Sequence, residues 1–119
     1  MAKANLAAAN WTQEYCSSGY GFCLPVHKNW WFKSFLGGSG LVSVELSPDE
    51  IDTAGSGPLV VTLTSGTSAS AQATDGDVRV LGGMVYGYRD FSDNRHFVVS
   101  APANLEAAVR YIIERIAAR

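Results

Sequence analysis

Hydrophobic and polar positions in this chain alternate with a period of two more often than they cycle with a period near 3.6. From Leu41 to Leu46 the alternation is clean. Val42, Val44 and Leu46 fall on one face and Leu41, Ser43 and Glu45 on the other, which predicts a strand. Leu59-Val60-Val61-Thr62-Leu63-Thr64 is a β-branched run that ends at Ser65-Gly66. Val78–Leu81 ends at Gly82-Gly83, Met84–Phe91 ends at Ser92-Asp93-Asn94, and Arg95–Ser100 ends before Pro102. Consecutive strands on turns this short must pair antiparallel. Between them, residues 68–74 are small and polar, and the Asp75-Gly76 that closes them reads as a further hairpin tip.

Two segments change period. Residues 103–118 carry Leu105, Val109, Ile112, Ile113 and Ile116 at the spacing of one helical stripe, with Asn104 as the expected N-cap. Glu106 and Arg110 form an i,i+4 pair, and Arg115 and Arg119 complement the dipole near the end. Ser47-Pro48-Asp49-Glu50 has the signature of a capping box and predicts a short second helix, stopped by Gly55 and Gly57. Residues 36–40 read as a loop and residues 1–10 as an N-terminal arm or short Ala-rich helix. Tyr20, Phe22 and Leu24 alternate with Gly21, Cys23 and Pro25, a half-buried strand that Pro25 should end or confine to an edge. The expected fold is α+β: residues 11–119 form a single domain with one twisted antiparallel sheet of about six strands and the terminal helix packed on one face.

Composition sharpens this picture. In 119 residues, 47% are hydrophobic and 17% charged, enough apolar material for one core. Nine Lys/Arg stand against eleven Asp/Glu without a basic stripe, so nucleic acid is not an expected partner. No apolar run approaches the ~18 residues of a membrane span, and the start lacks the apolar segment of a signal peptide. Cys16 and Cys23, the only two cysteines, bracket the Gly/Ser-containing run 17–22. Facing each other across a tight turn, they predict a disulfide, and hence an extracytoplasmic setting, periplasmic or secreted, with the leader already removed.

No motif for catalysis or a cofactor stands out. Gly38-Ser39-Gly40 is followed by Leu41, so the nucleophile-elbow spacing fails. Cys16, Cys23, His27 and His96 offer a Cys₂His₂ set, but structural zinc sites space their cysteines by two to four residues. Asp75-Gly76-Asp77 lacks the downstream Glu of a calcium loop, and the glycine runs lack a Walker lysine. Glu14, Glu45 and Asp90 are available as carboxylates, with no spacing that pairs them.

The aromatic run is different. Lys28-Asn29-Trp30-Trp31-Phe32-Lys33-Ser34-Phe35 places three rings in succession. In an extended chain neighbouring side chains point to opposite faces, so Trp30 and Phe32 share one and Trp31 and Lys33 the other. Only one face can enter the core. The other is either covered by the terminal helix or the N-terminal arm, or faces solvent or a partner; on the second reading Trp30, Trp31, Phe32 and Phe35, rimmed by Lys28, Lys33 and Arg89, are the candidate binding residues for a protein or a small amphipathic ligand.

Tyr20-Gly21-Phe22-Cys23-Leu24-Pro25-Val26-His27-Lys28-Asn29-Trp30 resembles the opening hairpin of the PsbP-like family, in which a proline-containing turn precedes a tryptophan. Residues 86–116, with Tyr86-Gly87-Tyr88 and His96-Phe97-Val98-Val99-Ser100-Ala101-Pro102, are similar to its last hairpin and closing helix. The family comprises extrinsic proteins of the photosynthetic oxygen-evolving complex and a Ran-binding branch. The resemblance implies a central antiparallel sheet flanked by helices and action by docking rather than catalysis; it carries over no individual binding residue. Three functional classes therefore stand: an extracytoplasmic binding or accessory module acting through its aromatic surface, an inhibitor or immunity-type protein, and a small hydrolase with an unrecognised site.

Overall fold

The computed structural model describes residues 11–17, 19–28, 30–36, 42–47, 58–91 and 94–118, without the side chains at 35–36, 70–71 and 117–118. The expected arm at 1–10, the helix following Ser47 and most of the loop at 36–40 lie outside the described residues. The alternating segments are strands. β1 (Gln13–Ser17) and β2 (Phe22–Val26) form the cysteine hairpin, followed by β3 (Trp31–Leu36), β4 (Val42–Ser47) and β5 (Leu59–Ser65). β6 (Val78–Leu81), β7 (Met84–Phe91) and β8 (Arg95–Pro102) complete the meander, α1 (Glu106–Arg115) follows, and β9 (Ala117–Ala118) is the last described element.

Six of these strands make one antiparallel sheet in the order β3-β4-β5-β8-β7-β6; the other three make a small second sheet, β1-β2-β9. The α+β class with a terminal helix on the sheet is thus as read from the sequence, whereas the separate small sheet is an addition. Register sorts the large sheet into two faces. Val44, Val61, Val99 and Gly87 are cross-strand neighbours on the inner face, as are Leu63 and Phe97. The helix lies on this face, because a side-chain carbon at Gly87 would fall 2.5 Å from Ile113 Cγ1 and 2.9 Å from Val109 Cγ1. The small sheet covers the same face further along, where the Phe22 ring meets Phe97 edge-on at 4.9 Å. The core is therefore a two-layer one, with Leu24, Val26, Leu105, Val109, Ile112, Ile113 and Ile116 of the inner layer buried against Val44, Leu59, Val61, Leu63, Val85 and Val99 of the sheet.

Local chemistry explains where the elements stop. Gly82 and Gly83, at φ +58° and +82°, form the two-residue turn between β6 and β7, whose positive φ angles match the twist of the flanking strands. β2 ends at Val26, one residue past Pro25, as expected. Pro25 pairs with Glu14 on the β1 side, while β9 reaches only Phe22 and Cys23 on the other, so the missing donor falls beyond the last bridge to β9.

Residues 68–71, small and polar, form a short 3₁₀ turn, because Ser and Ala bring no β-branched surface to pack. Two expectations need correction. Asp75-Gly76 consequently makes a turn that leads into β6 instead of joining two paired strands: Asp77 N–H donates to Thr74 O (2.9 Å), and Gly76 N–H donates to Tyr88 O (2.7 Å) of β7. The helix is shorter than the 103–118 read from its stripe. Residues 103–105 are 3₁₀, no side chain caps the α-helix, so Asn104 is not its cap, and Ile116 turns extended (φ −64°, ψ 129°) to feed β9 onto β2. The Glu106–Arg110 pair forms as expected, at 2.8 Å.

Candidate functional site

The aromatic run straddles the boundary between core and surface, and the two adjacent tryptophans divide there. Trp30 precedes β3 and is only 4% exposed. It sits beside His27 (centroids 5.8 Å) and Trp11 (6.0 Å), and Trp11 stacks on Tyr111 of α1 at 4.8 Å, with the Arg115 guanidinium 4.1 Å over that ring. The Gln13 side-chain amide fixes the turn beneath, donating to the carbonyls of His27 (2.9 Å), Lys28 (3.2 Å) and Trp30 (3.1 Å). Trp30 N–H also donates to His27 O. The base of β3 is thereby anchored on both the small sheet and the helix.

The next four residues are all exposed. Trp31 shows 53% and Phe32 37% of their surface, and Lys33 and Ser34 are open as well. This is unusual for a strand, in which one face is normally covered. β3 is an edge of the large sheet, paired only with β4 among the described residues. Trp31 and Lys33 point to the outer face, whereas Phe32 and Ser34 lie on the inner side, where Tyr15 of β1 meets Phe32 edge-on at 5.7 Å. Among the described residues the result is an exposed ribbon edge with one large ring on each side, lysines at 28 and 33 beside it, and a row of backbone groups facing outward.

The structure brings Trp31, Phe32 and Lys33 together, with Lys28 exposed at the preceding turn. It separates Trp30, which is an anchor rather than a surface residue. Phe35 lies in β3 opposite Ser43, and its side chain is outside the described set. Arg89 does not rim this surface. It lies on β7, four strands away, about 19 Å at the ordinary strand spacing, where it reaches Glu114 O (3.5 Å) and Asp75 (3.9 Å). Tyr15 and Gln13 were not singled out from the sequence. The signal was the cysteine register: with Cys16 opposite Cys23, Tyr15 must face the core side opposite Leu24. A second pair of exposed apolar residues, Val80 and Leu81, lies at the far edge on β6.

The other candidate constellations assemble differently. Cys16 and Cys23 are disulfide-bonded across the hairpin. The Cys₂His₂ set does not gather: His27 is buried in the tryptophan cluster, and His96 sits on the outer face of β8. There His96 Nδ1 pairs with Gly66 O at 2.8 Å, opposite Asp90 of β7. The Asp90 carboxylate accepts the Ser68 N–H at 2.6 Å. That backbone bond is the main reason its pKa lies below the ordinary 3.8; the facing imidazole adds to it, and a small desolvation opposes. Ser, Asp and His thus lie close together, but the buried Ser68 hydroxyl meets hydrogen-bond geometry with neither neighbour. Nucleophile activation needs a base within hydrogen-bond reach of the hydroxyl; here the carboxylate caps a 3₁₀ turn and the imidazole ties down the β5 turn. Of the carboxylates considered, Glu45 is buried on β4, Glu14 is exposed on β1, and Asp90 belongs to the cluster just described.

No described helix is long and apolar enough to cross a membrane. Comparison of the chain with family models, with curated proteins and with solved structures finds no match.

Proposed function

We propose that this protein is a non-enzymatic binding or accessory module that docks to another protein through the β3 edge. The observation that carries the reading is the run of four successive exposed residues, Trp31 to Ser34, on a strand whose base is fixed by buried Trp30. A ribbon edge with a ring on each face suits a protein partner better than a small ligand. An added strand would use the outward backbone groups for affinity and Trp31 and Phe32 for selectivity, whereas a small amphipathic ligand needs a concave site to cover most of its surface. The disulfide favours an extracytoplasmic setting. The docking role also agrees with the PsbP-like resemblance, as does an antiparallel sheet carrying a terminal helix; that kinship is part of the proposal.

A photo-crosslinking residue at position 31 of the intact protein, in native extract, tests this. The expected result is one stoichiometric protein adduct that is lost when Phe32→Ala is added and that does not form from position 110 on the solvent face of α1. Equal labelling from both positions would overturn it. An adduct with an enzyme whose activity then falls would select the inhibitor form of the same reading.

A further inference from the structure

A carboxylate lies beside the disulfide of the cysteine hairpin. Glu14 and Cys16 are alternate residues of β1 and so share a face. Cys23 is directly opposite Cys16, with the Cα atoms 4.1 Å apart. A Glu14 carboxylate oxygen and the two sulfurs all lie within 4.8 Å of one another. Glu14 and Cys16 are exposed and Cys23 is buried, so a reductant reaches the bond from the Cys16 side.

We infer that reduction converts this hairpin into a site for a zinc-like divalent cation, with the Cys16 and Cys23 thiolates and the Glu14 carboxylate as ligands. Two thiols of a dithiol reductant give two protein thiols and the reductant's own disulfide. The protein thiols then release two protons as they bind the cation. Two sulfurs on a tetrahedral ion at 2.3 Å each stand about 3.8 Å apart, a separation that directly opposed strand positions span without parting the strands. The carboxylate supplies the third ligand from the same strand. Proline, opposite Glu14, has no donor to offer, so the fourth position is left for water. Such ligands, two soft and one hard, favour zinc or cobalt over calcium or magnesium. The disulfide and metal forms exclude each other, so the hairpin reports the redox state of its surroundings.

The test titrates Co²⁺ into the full chain before and after reduction with a phosphine, which becomes its oxide by taking oxygen from one water. The expected result is a one-to-one thiolate-to-cobalt charge-transfer band in reduced protein only, displaced by Zn²⁺. Glu14→Gln should keep the band but weaken Co²⁺ binding by at least about tenfold, the lower end of what even an outer-shell partner contributes. No band after reduction, or an affinity unchanged in Glu14→Gln, would overturn the inference.

Discussion

Two adjacent tryptophans with the same chemistry do opposite work. Trp30 is enclosed by Trp11, His27 and the clamped turn, so Trp30→Ala removes a packed ring and should cost about 3–5 kcal/mol of unfolding free energy. Trp31 is more than half exposed; Trp31→Ala should change stability by no more than about 0.5 kcal/mol while abolishing partner capture. Urea unfolding of the two variants separates them, and equal losses would contradict the assignment of anchor and contact. The carboxylates give a pH prediction. Asp90 is held low chiefly by the Ser68 N–H, and Asp77 chiefly by the Thr74 N–H, with the Arg79 guanidinium helping. A carboxyl whose folded pKa lies below its unfolded value stabilises the fold above the unfolded value, and that stability is lost as pH falls through the folded one. Stability should therefore decline on acidification below about pH 4, and Asp90→Asn should flatten that decline. An unchanged acid limb would assign it to other groups.

Among the elements, the helix seat on β7 and the cysteine hairpin lend themselves to direct tests. Gly87 lets α1 lie directly on β7, because any side chain there meets Ile113 and Val109. Gly87→Val should destabilise by about 1–3 kcal/mol through overpacking, read as a lowered urea midpoint with an unchanged slope. Opening the disulfide by Cys16→Ser/Cys23→Ser should cost about 2 kcal/mol, because the closed loop is short. The strands, their antiparallel pairing and the buried stripe of the helix were legible in the sequence, since period-two and period-3.6 patterns survive whatever packs on them. The ends of elements were less so. Asn104 has the chemistry of a cap, yet the chain leaves β8 through Pro102 into a 3₁₀ turn that needs none. Ile116 continues the helical stripe, but β2 offers an unpaired edge at Phe22 and Cys23, and pairing with it outweighs another helical turn. Asp75-Gly76 specifies a turn, not what the turn connects.

For the whole molecule, the division into a six-stranded sheet and a small three-stranded one depends on contacts between residues about 75–95 positions apart, such as Phe22 with Phe97 and Ala118. No local pattern encodes those. The aromatic run was visible as a candidate, but which of its rings face outward depended on Gln13 and Trp11 fixing the turn before β3. Arg89 illustrates the limit from the other side: its charge is legible, its distance from β3 is a property of strand order. In the folded protein one tryptophan is presented and two are enclosed.

Acrylamide quenching of the intrinsic fluorescence measures that difference directly. The wild-type protein should show one readily quenched tryptophan population and one protected population; Trp31→Phe should remove the first and leave the second, and bound partner should protect the first. Uniformly protected tryptophans in the free wild-type protein, or a quenched population that survives Trp31→Phe, would contradict the exposed β3 edge on which the proposed docking depends.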